Sequence, residues 1–288
     1  MRRFDLLEPT SLPEALEALS GDEARVIGGG TALVVLIRNR LLAPERLVSL
    51  RKITGYGDMN GSGRGLYLGA GVRLQQIEQA PLVAERLPFL STVVRHIGNV
   101  RVRAVATVGG TLCEADYQSD FAVALLALGA QVHVRGRGGA RVVPIEGFYT
   151  GPYATALDPG EIVTGVEIEP PPAGAASAYL KYVTGPITDR PCVAVAAVLG
   201  LDASGRCVLS RLVVGGVNGV SSLPLRVRRA ETLAARSPLT AELIEEMSRL
   251  AHDDADPVSD GRAPDWYKRQ MVRVVCRRAL LAAWRQLG

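Results

Sequence analysis

Several features that would mark a particular class of protein are missing from this sequence. Aromatic residues make up only 5% of the 288 residues, and 33 Lys and Arg residues nearly balance 29 Asp and Glu residues. Nucleic-acid-binding proteins carry basic patches interleaved with aromatic side chains, so we expect no nucleic-acid partner. No apolar run approaches the ~20 residues of a membrane helix, and no signal peptide is recognisable. We therefore expect a soluble, cytoplasmic protein without a membrane span.

Cysteine and histidine are also scarce, which bears on metal sites. The four cysteines lie far apart and form no CxxC pair: Cys113, Cys192, Cys207 and Cys276. Iron–sulfur and structural zinc sites need closely spaced ligands, so the sequence predicts no metal site, and the thiols are interpreted as reduced. The three histidines show no metal-binding spacing and are interpreted as structural or solvated.

Glycine, by contrast, is abundant, with 31 residues, and two glycine clusters stand out. The first, Gly28–Thr31, follows a predicted strand at Ala24–Ile27 and precedes the apolar run Ala32–Ile37. That run could be a buried helix or a strand, although Thr31 as a cap favours a helix. The second cluster lies in Ala106–Leu112, which reads as a strand interrupted by two glycines.

Glycine-rich loops can bind anions because backbone N–H groups approach a ligand without interference from a Cβ atom. Two such loops suit a pyrophosphate better than a single phosphate. The alternative is that these glycines only turn the chain. The common nucleotide motifs are excluded, since Leu33 stands where GxGxxG requires its third glycine and no GK[ST] is present.

The order of the predicted elements places a domain boundary at Pro170–Gly174. Before it, strands and helices alternate, with an apolar helical stripe in Thr92–Val102 and a clear helix at Phe121–Leu128. After it, three predicted strands precede two helices, Thr240–Ala251 and Pro264–Leu287. Strands followed by helices indicate a small α+β domain.

Two charged residues have both a structural and a functional interpretation. Asp120 stands at a predicted helix start, where it is either an N-cap or a contact to a ribose or phosphate group. Lys181 lies on a predicted strand beyond the boundary, where it is either exposed to solvent or a charge near a redox cofactor. The residues themselves leave both questions open.

A family resemblance connects these features. The chain contains VIGGGT at 26–31, IGNVRVRAVATVGGT at 97–111, Ser-Asp at 119–120, YLKY at 179–182 and DWYKR at 265–269. In this order and spacing, the motifs resemble the FAD-binding medium subunit of the molybdenum hydroxylases, the family of carbon monoxide dehydrogenase and xanthine dehydrogenase. The resemblance covers nearly the whole chain, and residues 101–110 are its most specific part.

The resemblance implies an α+β fold with two domains. Residues 1–175 would form an FAD-binding domain of the vanillyl-alcohol-oxidase (PCMH) type, with subdomains at about 1–55 and 56–175. Residues 176–288 would form the C-terminal α+β domain of carbon monoxide dehydrogenase flavoproteins, a β-sheet followed by helices.

It also implies which residues bind FAD. The first loop would hold the pyrophosphate from one side and the second loop from the other. Asp120 would be the family's acidic FAD contact, Lys181 would lie near the isoalloxazine, and Ile97 and Val163 would place apolar groups against the flavin or adenine. The implied set is Arg25, Val26, Ile27, Gly28, Gly29, Gly30, Thr31, Ala32, Ile97, Thr107, Val108, Gly109, Gly110, Thr111, Asp120, Val163 and Lys181.

The function implied is that of an electron-transfer flavoprotein, with no catalytic acid or base in this chain. Its partners would be an iron–sulfur subunit with two [2Fe–2S] clusters and a large molybdopterin subunit, assembled as a dimer of heterotrimers. Substrate would be hydroxylated on the partner, and electrons would reach an acceptor through FAD. The alternatives are a stand-alone flavin-dependent oxidoreductase and a non-catalytic assembly subunit that has lost FAD.

Overall fold

A computed structural model describes residues 3–21, 23–217 and 224–288. The strands are β1 (Asp5–Leu7), β2 (Ala24–Ile27), β3 (Arg46–Ser49), β4 (Met59–Ser62), β5 (Gly65–Gly69), β6 (Gln131–Gly136), β7 (Gly139–Pro144), β8 (Tyr149–Gly151), β9 (Ala154–Thr155), β10 (Ile162–Ile168), β11 (Ala176–Tyr182), β12 (Val193–Leu201), β13 (Cys207–Gly215) and β14 (Leu225–Arg226). The helices are α1 (Leu12–Ala18), α2 (Leu33–Arg38), α3 (Leu74–Gln79), α4 (Pro81–Arg86), α5 (Pro88–Val94), α6 (Val100–Arg103), α7 (Val108–Glu114), α8 (Asp120–Leu128), α9 (Ile145–Phe148), α10 (Arg228–Ala234), α11 (Ala241–Asp254) and α12 (Asp265–Trp284).

The first part of the chain forms a parallel sheet of three strands in the order β1-β3-β2. Helix α1 begins after Ser11, whose side chain accepts a hydrogen bond from the N–H of Glu14, as expected of an N-cap serine. Its buried Leu16 packs with Val48 and Leu50. Helix α2 connects β2 to β3 and supplies the crossover that two parallel strands need.

The second part is a five-stranded sheet in the order β4-β5-β10-β6-β7, covered by helices. Helix α8 is buried along its whole length, because its apolar side chains leave no polar face for solvent. It packs on β12 and β13 of the third part. The predicted helix Phe121–Leu128 is present, and Gly129 ends it with φ 70°.

The third part is the sheet β11-β12-β13-β14 with helices α10 to α12. Strand β12 lies at its centre and is buried on both faces. Ala194, Ala196 and Val198 belong to the core that contains α8, whereas Val193, Val195 and Ala197 belong to the core that contains α11 and α12. A strand covered on both faces reads as a continuous apolar run, and β12 therefore joins the two halves of the protein.

Two sequence predictions were wrong. Residues 106–112 are not a strand: helix α7 begins at Val108, because Thr107 caps it and Val108 and Leu112 are buried on the same face. The stripe Thr92–Val102 is not one helix either. Helix α5 ends at Val94, and α6 begins only after Asn99, whose side chain accepts hydrogen bonds from the N–H groups of two following residues.

Within the described ranges, no helix has both the length and the apolar character required to cross a bilayer.

Candidate functional site

The two glycine loops lie directly against each other. A Cβ atom placed on Gly28 would lie 2.5 Å from Oγ1 of Thr107 and 3.8 Å from Cα of Gly110. One placed on Gly29 would lie 1.9 Å from the carbonyl oxygen of Val105. These distances leave no room for a side chain, so the close approach of the loops requires glycine at both positions.

The first loop presents a row of unused backbone donors. Strand β2 ends at Ile27 and α2 begins at Leu33, so neither element engages the N–H groups of Gly28–Ala32. In the described part of the chain, none of these five N–H groups has an acceptor. Gly30 takes φ 71°, which bends the loop into a concave turn. Successive N–H groups around such a turn form an anion site.

The second loop, Thr107–Thr111, differs, because four of its five N–H groups already have acceptors within the protein. The N–H of Val108 donates to the Val72 carbonyl (2.9 Å), and that of Gly109 donates to the Ala70 carbonyl (2.8 Å). The N–H of Gly110 donates to Oγ1 of Thr107 at 3.1 Å. The N–H of Thr111 donates to the Thr107 carbonyl, and only the N–H of Thr107 has no acceptor in the described part of the chain. The expectation that the second loop offers its N–H groups to an anion is therefore wrong for four of the five.

The second loop also offers a hydroxyl group. Oγ1 of Thr107 accepts from Gly110 as the cap of α7 and lies next to Gly28. A hydroxyl can accept and donate at the same time, so its proton remains available to a ligand oxygen held by the first loop. Thr111 has no such freedom, since its hydroxyl donates to the Thr107 carbonyl at 2.9 Å.

Asp120 and Lys181 form a buried ion pair. Nζ of Lys181 lies 2.9 Å from Oδ2 of Asp120, and the two side chains are 1% and 5% exposed. The same Nζ donates to the carbonyl of His96 at 2.8 Å, and the Tyr179 hydroxyl donates to the other Asp120 oxygen. Burial raises the pKa of the Asp120 carboxyl, and the Lys181 ammonium counteracts this shift.

Both structural interpretations of these residues were wrong. Lys181 is not an exposed lysine. Asp120 is not the N-cap, because the side chain of Ser119 accepts from the N–H of Ala122 and caps α8. A direct contact of Asp120 or Lys181 with FAD stays a prediction.

The two apolar candidates are placed differently. Ile97 follows His96, whose carbonyl is bound by Lys181, and it is partly buried beside the core. Val163 lies in β10, is 2% exposed, and its carbonyl accepts a hydrogen bond from the Tyr56 hydroxyl at 3.0 Å. Its side chain is part of the core and offers no surface to a nucleotide. The first three candidates, Arg25, Val26 and Ile27, belong to β2 and lead into the first loop.

Sequence reasoning did not find Tyr179, His96 and Arg190 as parts of this region. Tyr179 lies 59 residues from Asp120, and His96 lies 85 residues from Lys181. Nε of Arg190 lies 2.5 Å from Oδ2 of Asp116 and forms another ion pair between the two domains. No local pattern signals such pairs, because only the packing of α8 on the C-terminal sheet brings them together.

The other reactive side chains that the structure describes form no further centre. Among the described residues, no cluster of three or more His, Cys, Asp or Glu side chains could hold a metal ion. All four cysteines are free thiols. Cys113 is exposed, whereas the other three are buried. Burial raises the pKa of the Cys276 thiol, so that thiol remains protonated at neutral pH.

Known proteins match this chain in both of its domains. Residues 2–171 match the family described as the FAD binding domain in molybdopterin dehydrogenase, and residues 178–283 match the C-terminal domain of carbon monoxide dehydrogenase flavoproteins. The carbon monoxide dehydrogenase medium chain of Afipia carboxidovorans is 31% identical over 279 residues, which cover 96% of this chain and 95% of the relative. The glyceraldehyde dehydrogenase medium chain of Sulfolobus acidocaldarius is 29% identical, with 96% of each chain covered.

Solved structures agree over the whole length. A chain of carbon monoxide dehydrogenase from Hydrogenophaga pseudoflava superposes with a TM-score of 0.95 at 27% identity, covering 99% of both chains. A chain of quinoline 2-oxidoreductase from Pseudomonas putida 86 gives a TM-score of 0.91 at 29% identity, covering 98% of this chain and 96% of that one. The predicted α+β fold with an FAD-binding domain is confirmed.

Proposed function

Because the chain belongs to the FAD-binding subunits of the molybdenum hydroxylase family, we propose that it holds FAD at its two glycine loops and links a partner's iron–sulfur clusters to an electron acceptor. When bound, FAD supplies the redox chemistry, and the protein supplies its binding, orientation and electrostatic environment. The alternative of a stand-alone flavin oxidoreductase is not favoured by any contact in the described site.

The observation that carries the proposal is the row of five N–H groups at Gly28–Ala32 without acceptors. Unsatisfied N–H donors are unfavourable unless water or a ligand binds them. A diphosphate brings several acceptor oxygens and negative charge to the same concave turn. The Thr107 hydroxyl, packed against Gly28, would donate to one further oxygen. The residues present therefore fit the pyrophosphate of a flavin nucleotide.

The remaining proposed contacts follow from this placement. Thr31 and Ala32 complete the first loop, and Gly110 leaves the wall formed by α7 free of a side chain. Lys181 and Asp120 fix the position of the backbone at His96 and thereby of Ile97, which would face the flavin. Val163 is left out of the proposed set because its side chain is in the core.

The chain is a subunit of a heteromeric assembly, as its medium-chain relatives indicate. We propose that its partners are an iron–sulfur subunit with two [2Fe–2S] clusters and a large molybdopterin subunit, in a dimer of heterotrimers in the cytoplasm. We also propose that the FAD-binding domain spans residues 1–175, with subdomains at about 1–55 and 56–175, and that residues 176–288 form the C-terminal domain. The separate sheets of these regions support this division.

A pair of glycine substitutions tests the site. In Gly28→Ala the new methyl group would meet Oγ1 of Thr107 and push the two loops apart, so we expect loss of most of the bound flavin. In Gly147→Ala the methyl group meets nothing within 4 Å, so the FAD content should equal that of the wild type. FAD is quantified by its absorbance per chain in the purified complex, and thermal unfolding confirms that both variants fold. Wild-type FAD content in folded Gly28→Ala would contradict the proposed site.

A further inference from the structure

The segments that form the glycine loops have an unusual charge composition. Residues 24–42 and 95–111 together contain six arginines and no Asp or Glu. Over the whole chain the two signs are nearly equal, at 33 to 29. The two segments are also in contact, because Gly29 packs on the carbonyl of Val105. Arg103 is ion-paired with Glu78, and Arg25 donates to the Ala24 carbonyl. The other four arginines are exposed and make the surface around the proposed nucleotide site basic: Arg38, Arg40, Arg95 and Arg101.

Within this surface, α2 exposes aliphatic side chains instead of burying them. Val35 and Leu36 are 52% and 40% exposed, and Leu41, just after the helix, is 73% exposed. Only Ile37 of this helix is buried. Beside these side chains stand Arg38 and Arg40, which have no ion-pair partner in the described ranges. We call Val35, Leu36, Arg38, Arg40 and Leu41 the α2 patch.

The backbone at Arg40 provides a second observation. Helix α2 ends in a Schellman motif: the N–H of Leu41 donates to the Leu36 carbonyl at 2.9 Å, and that of Arg40 donates to the Ile37 carbonyl at 3.1 Å. Arg40 takes φ 60°, at the position where helices favour glycine. An arginine is strained in this conformation, so its presence suggests that the side chain itself has a use.

The α2 patch does not share the face of the helix that packs on the first glycine loop. Val34 is the residue of α2 that packs on Gly30, at 3.1 Å from a Cβ atom placed there. At 3.6 residues per turn, Val35 and Leu36 point roughly 100° and 200° around the helix from Val34. Exposed apolar side chains rimmed by unpaired charges are typical of protein interfaces, so a macromolecular partner fits better.

We propose that the α2 patch is the docking surface for the iron–sulfur subunit, which would present an apolar surface rimmed by Asp and Glu side chains. The basic rim selects an acidic partner, because like charges across an interface oppose association. The α2 patch begins at Val35, roughly 4.5 Å along the helix from Ala32, the last residue of the loop that would hold the pyrophosphate, and it extends past the end of the helix to Leu41. The iron–sulfur subunit would hand electrons to the flavin, so it must contact this chain close to the bound FAD. The large subunit need not. This inference rests on the proposed function.

Photo-crosslinking of the assembled complex identifies the occupant. With p-benzoylphenylalanine in place of Leu41, we expect an adduct with the iron–sulfur subunit. The same group at Val208, which is exposed on β13, should give no adduct with that subunit. An adduct of position 41 with the large subunit or with a second copy of this chain, or no adduct in an intact complex, would overturn the proposal.

Charge reversal tests the basic rim. Arg38→Glu combined with Arg40→Glu should raise the dissociation constant of the iron–sulfur subunit at least about tenfold, with unchanged FAD content. The matched control, Arg135→Glu with Arg137→Glu, changes the same charge on the exposed β6–β7 hairpin and should leave the dissociation constant unchanged. Loss of FAD with an unchanged dissociation constant would assign the patch to the nucleotide and overturn the proposal.

A third variant separates docking from folding. Arg40→Gly relieves the φ of 60°, so its thermal midpoint should not fall, yet it should weaken association. An undiminished affinity in this variant would contradict a role for the Arg40 side chain. If the wild-type complex forms the crosslink but contains no FAD, the proposed function fails while the docking surface stands.

Discussion

The Nζ atom of Lys181 lies 2.9 Å from Oδ2 of Asp120, and this ion pair is almost completely shielded from solvent. Lys181 belongs to β11 of the C-terminal sheet, and Asp120 is the first residue of α8. The pair therefore connects the two domains in a setting where removing charges from water is unfavourable unless both partners are present. Tyr179 and the His96 carbonyl complete the hydrogen bonding of the two charges.

Removing one partner of this pair should destabilise the protein strongly. In Lys181→Met, the Asp120 carboxylate stays buried without its cation, and we expect the free energy of unfolding to fall by about 3–5 kcal/mol. Adding Asp120→Asn should recover part of this loss, because the buried charge is then gone as well. Urea denaturation of the single and double variants measures both effects. Lys52→Met, which breaks an exposed pair with Glu8, serves as the control and should cost less than about 1 kcal/mol.

The Arg190–Asp116 ion pair, one of several between the two domains, should contribute much less. The Asp116 side chain is only 8% exposed, but that of Arg190 is 52% exposed, so water and salt reach the interaction from the arginine side and screen it. Arg190→Met should lower the free energy of unfolding by less than about 1 kcal/mol, and the difference should shrink further at high salt. A large, salt-independent loss in denaturation experiments would show that this contact matters more than its exposure indicates.

Thr107 should be needed for both helix capping and FAD binding. Thr107→Val keeps the shape but removes the hydroxyl that accepts from Gly110, so the free energy of unfolding should fall by about 1 kcal/mol. The same variant should bind FAD more weakly, measured by flavin release on dilution. Thr107→Ser keeps the hydroxyl and should behave like the wild type in both experiments. Equal FAD affinity in the Val and Ser variants would rule out a hydroxyl contact to the nucleotide.

His96 should make the protein less stable in mild acid. Burial, together with the nearby Lys181 ammonium, holds the pKa of His96 below its usual value. In the unfolded chain the His96 imidazole has a pKa of about 6.5. Below that pH the unfolded chain binds a proton at His96, whereas the native state binds it less readily. The free energy of unfolding should therefore be fully retained above this pH and fall as the pH is lowered through it.

Comparison with His96→Gln isolates this contribution. Between about pH 7.5 and about pH 5.5, ordinary Asp and Glu side chains remain largely ionised. Over this range the free energy of unfolding should fall more steeply with decreasing pH for the wild type than for the variant. A shallower slope for the wild type would mean that the native state binds the proton more tightly than the unfolded chain.

Much of the fold follows from local sequence. Ser11 and Ser119 cap the helices that follow them, as N-cap serines do in proteins generally. The unbroken apolar runs of α8 and β12 indicate elements buried on all sides, and both are. The family motifs were sufficient to identify the fold and the cofactor. Each of these signals depends on residues that are neighbours along the chain.

The geometry of the site was decided by the tertiary structure. Helix α7 forms at residues whose glycines disfavour a helix, because Thr107 caps it and its apolar face is buried. Which glycine loop keeps its N–H groups free depends on the carbonyls of Ala70 and Val72, which engage the second loop. The partner of Lys181 lies 61 residues away in sequence. Hydrogen-bond and ion-pair partners of this kind depend on how the sheets pack against each other. The residues next to them in the sequence therefore do not predict them.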